Sequence, residues 1–332
     1  MIKIAVIGAG SMGKNHLKTY KSLPNVELVG VYDIFPEITK TAADMFGIKA
    51  FSSMEEVAKN VDAVSVVTTS VTHAEVGEFF LNKGIHCLIE KPLATTEEEC
   101  QRLISAAEKN NVTLLVGHIE RFNPAVQQMS KMLSDTSKIR SLTAQRMSAA
   151  SGRITDVDVA MDLMIHDMEV IMSIVKSPVT NVEAVSVNNG KDYISALVEF
   201  ENGATANLTA SRITQARVRT LTVTTDTNYI DMDFISQSIN VHSQGRMPYV
   251  NQENIPEWMN YGLKGSVEQL FIPTSQPLET ELKHFINCIN GKEKPITGGQ
   301  TSLDALRVIW NIQRKLGFLK KEETTPLFVA AE

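Results

Sequence analysis

The N-terminal segment combines an apolar strand, a glycine-rich turn and a helix, and it constrains the fold more than any other feature. Residues 2–7 predict a short buried strand that runs directly into Gly8-Ala-Gly10-Ser-Met-Gly13 and then a helical pattern. In such a turn the first glycine permits a tight bend, the second lets the backbone approach a pyrophosphate, and the third allows close helix–strand packing. Free N–H groups at the helix N-terminus favour an anion. The pattern predicts a dinucleotide site at Gly8, Gly10, Ser11, Met12 and Gly13.

An acidic residue at the end of the second predicted strand supports the same interpretation. Residues 26–32 form an apolar run that ends at Asp33, twenty residues beyond Gly13. A carboxylate at this position accepts hydrogen bonds from the ribose hydroxyls of NAD. Since no Lys or Arg lies between Asp33 and Lys40, the sequence favours NAD over NADP. The alternative role for Asp33 is a cap for the helix that follows it.

Strands and helices continue to alternate up to about residue 122. The predicted strands are 49–51, 63–67, 85–89 and 113–116, and the predicted helices are 38–46, 54–59, 72–83 and 96–109. This alternation is typical of a doubly wound parallel sheet, in which ligands bind beyond the carboxyl ends of the strands. Polar residues follow two of these strands, namely Thr68, Thr69 and Ser70, and Glu90 and Lys91. We predict that the hydroxyls contact the cofactor and that Lys91 is catalytic or positioning, rather than part of a surface ion pair.

Length and composition exclude several classes of protein. A chain of 332 residues usually contains two domains, and the sequence pattern divides them into 1–122 and 123–332. The net charge of −6, with both signs interspersed, argues against a nucleic-acid or anionic membrane surface. No apolar run approaches the ~20 residues of a membrane span. The cysteines Cys87, Cys100 and Cys288 have neither metal-site nor disulfide spacing, so we expect a cytoplasmic protein without a bound metal.

A later helix, predicted over residues 158–171, is apolar on nearly every side and is therefore predicted to be buried. Asp162 and His166 lie four residues apart and share one face of this helix. A carboxylate and an imidazole in such a helix are costly unless they face each other or a cavity. They are either a polar pair satisfied in the core or part of an active site. In an active site, an imidazole with a pKa near ~6.5 can accept and return a proton.

The remainder of the chain predicts an open, mainly antiparallel sheet. Predicted strands are 182–188, 193–200, 205–211, 219–225 and 229–233. Residues 236–276 predict mainly loop, in which Tyr249 is a candidate substrate contact and packing is the alternative. Arg121 and Asn123, at the joint between the domains, are also candidate substrate contacts. The alternative for this joint is turn formation, because Asn-Pro commonly initiates a turn.

Several motifs resemble the glucose-fructose oxidoreductase and inositol dehydrogenase family (Gfo/Idh/MocA). They are Gly8-x-Gly10-x-Met12-Gly13-x-x-His16, Thr68-x4-His73 and Gly84-x-His86-x3-Glu90-Lys91-Pro92. The segment Asp162-Leu-Met164-Ile-His166 is similar to the family's Asp-x-Gly-x-His arrangement. Two departures are Met164 in place of the glycine, which narrows the expected substrate pocket, and Thr69 where a proline often occurs.

The resemblance implies a Rossmann domain followed by an α/β domain with an open sheet. It implies an NAD(P)-dependent oxidoreductase acting on a secondary alcohol of a sugar, nucleotide sugar or cyclitol, with Lys91, Asp162 and His166 as catalytic residues. It further implies that His73 and Glu90 belong to the cofactor site, that the Lys91–Pro92 peptide is cis, and that the sheet forms a homodimer or homotetramer.

The substrate and the enzymatic role are the points on which alternatives remain. The segment His118-Ile-Glu-Arg-Phe-Asn-Pro is most similar to the branch that oxidises the 3-hydroxyl of nucleotide-linked amino sugars. The alternatives are a myo-inositol or hexose dehydrogenase and a non-enzymatic NAD-binding regulator. A regulator is expected to have lost the lysine or the histidine, and this chain retains both.

Overall fold

The computed structural model describes residues 1–149, 157–244 and 265–320, and the strands within these ranges form two sheets. The strands are β1 Ile2–Ile7, β2 Val26–Tyr32, β3 Lys49–Ala50, β4 Ala63–Val66, β5 His86–Glu90, β6 Leu114–Gly117, β7 Ile139–Met147, β8 Val179–Ser186, β9 Tyr193–Phe200, β10 Thr205–Ser211, β11 Val218–Thr225, β12 Asn228–Asp233, β13 Ser238–Gln244 and β14 Gly265–Leu270. The α-helices are α1 Ser11–Ser22, α2 Pro36–Phe46, α3 Met54–Ala58, α4 His73–Leu81, α5 Glu97–Lys109, α6 Pro124–Met132, α7 Ile165–Val175, α8 Pro277–Ile289 and α9 Gly299–Lys315. None of the described helices is long and apolar enough to cross a membrane.

The chain divides into two compact units. The first contains Met1–Phe122 and Ser275–Arg307, and the second contains Asn123–Thr274 and Val308–Glu332. One division therefore falls where the sequence predicted a domain boundary. The prediction that the whole of 123–332 belongs to the second domain differs from this arrangement, because Ser275–Arg307 groups with the first unit.

The first unit has a six-stranded parallel sheet in the order β3-β2-β1-β4-β5-β6. The strand order reverses between β1 and β4, because β2 and β3 lie on one side of β1 and β4 to β6 lie on the other. Ligands of such sheets bind beyond the carboxyl ends of the strands at this point. The predicted doubly wound Rossmann fold is therefore confirmed. The turns that follow β1, β4, β5 and β6 meet at this same edge, and they carry most of the residues that the sequence predicted for the cofactor.

The apolar face of α8 explains why the later helical segment belongs to the first unit. Leu282, Phe285 and Ile286 of this helix lie in one buried cluster with Leu17 and Leu88. An amphipathic helix must bury its apolar stripe, and here that stripe completes the core beside α1 and the parallel sheet. Sequence periodicity reveals the stripe but not the surface that it covers.

The second unit has an eight-stranded sheet in the order β14-β13-β12-β11-β7-β10-β9-β8. It is mainly antiparallel, as predicted, but β7 pairs in parallel with β10. The sequence prediction missed β7, and within the segment 236–276, which it treated as mainly loop, it missed β13 and β14, which extend the sheet. The strand Ser-Ile-Asn-Val-His-Ser-Gln is too polar to signal a strand by itself, and pairing with β12 and β14 supplies the missing stabilisation.

Candidate active site

The glycine-rich turn leaves open space at its centre and is tightly packed at its two ends. A Cβ added to Gly8 would lie 2.5 Å from the Val67 carbonyl oxygen, and one added to Gly13 would lie 2.1 Å from the Gly8 carbonyl oxygen. A Cβ at Gly10 would meet no atom within 4 Å. Helix α1 begins directly after Gly10 without a side-chain cap. Open backbone at a helix N-terminus fits the pyrophosphate of a dinucleotide.

Asp33 is held beside this turn by backbone hydrogen bonds. Its Oδ2 accepts a hydrogen bond of 2.8 Å from the Ala9 amide, and its Oδ1 accepts one of 3.1 Å from the Phe35 amide. The carboxylate thus joins the first glycine turn to the loop that enters α2. It is half-buried, so lone pairs remain available to ribose hydroxyls.

The residues that follow β4 surround a buried histidine. The His73 ring lies between two backbone carbonyls, with Nδ1 2.7 Å from Pro92 O and Nε2 3.2 Å from Thr68 O. Burial lowers the pKa of His73. This residue is only 1% exposed, so its side chain supports the loops after β4 and β5. Thr68 and Ser70 in the same loop are half-buried and Thr69 is exposed.

Glu90 is packed between α1 and the end of β6. Its Oε1 lies 3.1 Å from His16 Nε2, and its Oε2 accepts a hydrogen bond of 3.3 Å from the Lys91 amide. The Glu90 side chain is 13% exposed. Its carboxylate therefore fastens the strand end from which the half-buried Lys91 projects. The Lys91–Pro92 peptide is cis, which confirms the expectation from the resemblance.

Replacing Gly117 with Ala is expected to destabilise the protein by about 1–3 kcal/mol, as overpacking usually does. The new Cβ would lie 2.9 Å from the Glu90 carboxyl carbon, and that carboxylate is already held by His16. Urea unfolding of the variant measures the effect. Gly298→Ala is the matched control, since its Cβ would meet nothing closer than 3.9 Å. Equal stability of the two variants would show that Glu90 moves freely, and Glu90→Asp should partly rescue Gly117→Ala.

His118, which follows β6, is a residue that the sequence did not single out as a site residue. It is buried, and its Nε2 lies 2.9 Å from Ser302 Oγ in α9. Burial, reinforced by the charges of Arg121 and Lys91, lowers the pKa of His118 to about 3. A neutral histidine is therefore maintained close to two cations at the carboxyl edge of the sheet. Arg121 is half-buried in a short 3₁₀ turn, Ile119–Phe122.

Asn123 has a structural role that the sequence left as an alternative. Its Oδ1 caps α6 by accepting from the Ala125 amide at 3.1 Å, and its Nδ2 donates to the Phe234 carbonyl at 3.0 Å. The residue is 1% exposed. Both ends of the amide are engaged inside the second unit, which favours capping over the predicted substrate contact. Tyr249, the other predicted contact, lies outside the described residues.

The helix that carries Asp162 and His166 begins with a π turn instead of regular α-helix. The π turn spans Ala160–Met164, and α7 continues from it. Asp158 caps the turn, because its Oδ1 accepts from the amides of Ala160 and Met161 at 2.9 and 3.1 Å. Its Oδ2 accepts a hydrogen bond of 2.6 Å from Gln313 Nε2. Such π turns inside helices are frequent at functional sites.

Asp162 and His166 are among the partly exposed residues of this helix, together with Met161, Leu163, Met172 and Ser173. Met164, Ile165 and Met168 are buried, whereas Asp162 and His166 are each half-buried. This exposure does not agree with a polar pair sealed in the core. Among the described residues, no group of three or more His, Cys, Asp or Glu side chains is placed to hold a metal ion.

Both units match known sequence families. Residues 2–118 match an oxidoreductase family described as having an NAD-binding Rossmann fold. Residues 139–230 match the GFO/IDH/MocA C-terminal domain. The Rossmann match agrees with the open glycine turn and the position of Asp33 described above.

Individual relatives extend the match along the chain. UDP-N-acetylglucosamine 3-dehydrogenase from Acidithiobacillus ferrooxidans is 33% identical over 247 residues, which cover 74% of this chain and 78% of the relative. A solved structure of that enzyme has a TM-score of 0.86 and 29% identity, and the match covers 96% of this chain and 99% of the other. The NADP(+)-dependent scyllo-inositol 2-dehydrogenase of Bacillus subtilis is 31% identical over 147 residues, which cover 43% of this chain and 45% of the relative.

Proposed function

The chain belongs to the Gfo/Idh/MocA family of NAD-binding oxidoreductases, and from this we propose that it oxidises the 3-hydroxyl of a UDP-N-acetylhexosamine. The relative from Acidithiobacillus ferrooxidans supports this substrate class, because it is named a UDP-N-acetylglucosamine 3-dehydrogenase and its solved structure matches nearly the whole chain. The observation that carries the proposal is the partial exposure of both Asp162 and His166 on a helix in which most apolar residues are buried. A helix of this kind presents acid–base groups to a ligand while its other faces pack.

The residues at the carboxyl edge of the parallel sheet would hold NAD, which would accept the hydride when bound. The glycine turn and the N-terminus of α1 bind the pyrophosphate, and Asp33 accepts from the adenosine ribose hydroxyls. Thr68, Thr69 and Ser70 follow β4, the strand that pairs with β5 and ends at the same edge as Lys91. Glu90 contributes by fixing the strand end, since its carboxylate is engaged with His16 and the Lys91 amide.

The catalytic residues have two roles, which are removal of the hydroxyl proton and stabilisation of the negative charge that develops on the oxygen. His166 accepts the proton of the substrate hydroxyl as the carbinol hydrogen leaves as hydride, so the alcohol becomes a ketone. Asp162, one turn earlier on the same helix, orients the His166 ring or holds a neighbouring hydroxyl. The Lys91 ammonium donates to the reacting oxygen and stabilises the negative charge that develops there. Arg121 binds the anionic part of the substrate.

The proposal is tested by measuring NADH formation with a panel of alcohols under identical conditions. We expect UDP-N-acetylglucosamine or its C4 epimer to be turned over with a much higher kcat/KM than myo-inositol, scyllo-inositol or glucose. Faster oxidation of a free cyclitol or hexose would support the inositol or hexose alternative instead. NAD binding without turnover of any alcohol would favour the regulatory alternative.

Replacing Asp33 with Ser should reduce the preference for NAD over NADP. The wild-type carboxylate, held by the Ala9 and Phe35 amides, accepts from ribose hydroxyls and repels a 2′-phosphate. A relative that uses NADP shows that the family accommodates either cofactor, so the local charge should decide. Fluorescence titration of both cofactors against wild type and variant measures the change. Tighter binding of NADP than NAD by the wild-type protein would contradict this role of Asp33.

We further propose that the protein is a cytoplasmic homodimer or homotetramer that associates through the second unit's sheet. The three cysteines are buried free thiols, which agrees with a reducing compartment. Along β7 and β10, Leu142 and Leu208 are buried while Thr143 and Asn207 alternate toward the other face. Light scattering should give a multiple of the chain mass for the wild type. Thr143→Arg on this face should then reduce the mass to that of one chain, and an unchanged mass would place the contact elsewhere.

A further inference from the structure

A buried ion pair joins the helix that carries His166 to β7. Arg146, in β7, donates from Nε to both oxygens of Asp167 at 3.1 and 3.0 Å and from Nη2 to Oδ1 at 2.7 Å. Both side chains are only 3% exposed. Asp167 directly follows His166 in the sequence, so the pair is attached to the helix one residue from the proposed general base.

Arg146 has apolar residues beside it on its strand and an aromatic ring against its guanidinium. Arg146 follows Leu142 and Ala144 on the buried face of β7, and the Phe234 ring lies 5.1 Å from its guanidinium carbon. Two buried charges contribute little net stability compared with apolar residues of similar volume. The pair is therefore a directional interaction whose geometry, rather than its net stability, is the property to explain.

An ion pair between a helix and a neighbouring strand limits how far the helix can rotate about its axis. Successive residues of an α-helix differ by about 100° around the axis, so the direction of Asp167 determines that of His166. A planar guanidinium binds a carboxylate in a fixed fork, which resists both rotation and sliding of α7. Asp167 lies three residues after the π turn Ala160–Met164. A π turn has more residues per turn than an α-helix, so it changes the directions in which the side chains after it point.

We propose that Arg146 and Asp167 are positioning residues that hold His166 in its direction toward the reacting hydroxyl. This inference rests on the proposed role of His166 as the proton acceptor. The pair acts through the helix backbone and does not contact the substrate. It also explains the acidic residue within an apolar helix, which the sequence pattern alone leaves without a function.

A set of four variants separates positioning from a contribution to stability. Arg146→Met and Asp167→Leu each remove one member of the buried pair and should be strongly destabilised. The double variant removes both charges and should regain most of the wild-type thermal stability. We expect its kcat to remain about 10²-fold below wild type, as for a misplaced catalytic group, while its KM for NAD stays unchanged. Arg146→Lys keeps the charge without the fork and should recover part of the activity.

Arg140→Met is the matched control on the same strand. Arg140 makes a bidentate pair with Asp226, at 2.7 and 2.8 Å, but both side chains are exposed. Its loss should leave kcat unchanged. If the double Arg146→Met/Asp167→Leu variant regains both stability and full kcat, the pair is only structural and the proposal is overturned.

A crystal structure of the double variant tests the inference independently of any substrate. We expect the His166 side chain to change direction, or to adopt more than one, as α7 rotates. An unchanged His166 direction would overturn the positioning role even if the substrate class were correct. A changed direction in a protein that oxidises no alcohol would instead leave the positioning role intact and refute the proposed function.

Discussion

Replacing Lys91 with Ala is expected to lower kcat by about 10²–10³-fold, the usual effect of removing a donor that stabilises developing negative charge. The lysine lies at the carboxyl end of β5, where its strand end is fastened by Glu90 and His16. NAD affinity should change little, because the glycine turn and Asp33 provide most of the proposed cofactor contacts. Steady-state assays with UDP-N-acetylglucosamine measure kcat, and fluorescence titration measures NAD binding.

Lys109→Ala is the control for this variant, since Lys109 is exposed at the end of α5. It should retain wild-type turnover. A Lys91→Ala enzyme with full kcat would remove the lysine from the mechanism. A variant that loses NAD binding in proportion to its rate would instead assign Lys91 to cofactor binding alone.

Replacing His166 with Ala is expected to reduce kcat by about 10²–10⁴-fold, the typical contribution of general acid–base catalysis. The defect should diminish as pH rises, because hydroxide can replace the missing base. The Asp162→Asn variant should be less impaired, since its proposed role is to orient His166 or hold a hydroxyl. The pH dependence of kcat for the wild type and both variants measures these effects.

His86→Asn is the histidine control, because His86 is only partly exposed at the start of β5 and accepts a hydrogen bond of 2.9 Å from the Thr113 amide. It should keep nearly full activity at neutral pH. Full activity of His166→Ala at saturating substrate would contradict proton transfer by His166. If Lys91→Ala still lowered kcat, another residue would have to accept the proton of the substrate hydroxyl.

Local patterns were sufficient to predict the Rossmann unit. A short strand, the glycines at positions 8, 10 and 13, and Asp33 form a continuous segment whose geometry is largely determined by neighbouring residues. The boundaries of its strands and helices were accordingly predicted to within a few residues. The attachment of α8 was not predicted, because Leu282 and Phe285 show only that the helix has an apolar face.

The second unit depends more on contacts between residues distant in sequence. Strand β7 lies between β10 and β11, so residues far along the chain stabilise it. Its polar positions, including the buried Arg146, obscure the alternation expected of a strand. Asp167 and His166 are adjacent in sequence, and only the fold distinguishes their environments. The Asp167 carboxylate is paired with the buried Arg146, whereas the His166 imidazole is partly exposed.

The predicted site residues were likewise of two kinds. Asp33 and Lys91 occupy strand ends at the ligand-binding edge, where residue type and topology together are informative. Asn123 and His73 were selected from polar motifs, but their side chains are buried among backbone partners. A motif identifies that a polar residue is needed, whereas burial and hydrogen bonding determine whether it contacts a ligand or supports the loops around it.

Transfer of deuterium from the substrate to the cofactor tests the central claim most directly. UDP-N-acetylglucosamine carrying deuterium at C3 would be incubated with NAD and the wild-type protein, and the NADH would be analysed by mass spectrometry. The proposed reaction predicts NADH that is heavier by one mass unit, with the label at C4 of the nicotinamide, and a sugar product with a ketone at C3. Unlabelled NADH, or no NADH from this substrate, would contradict it.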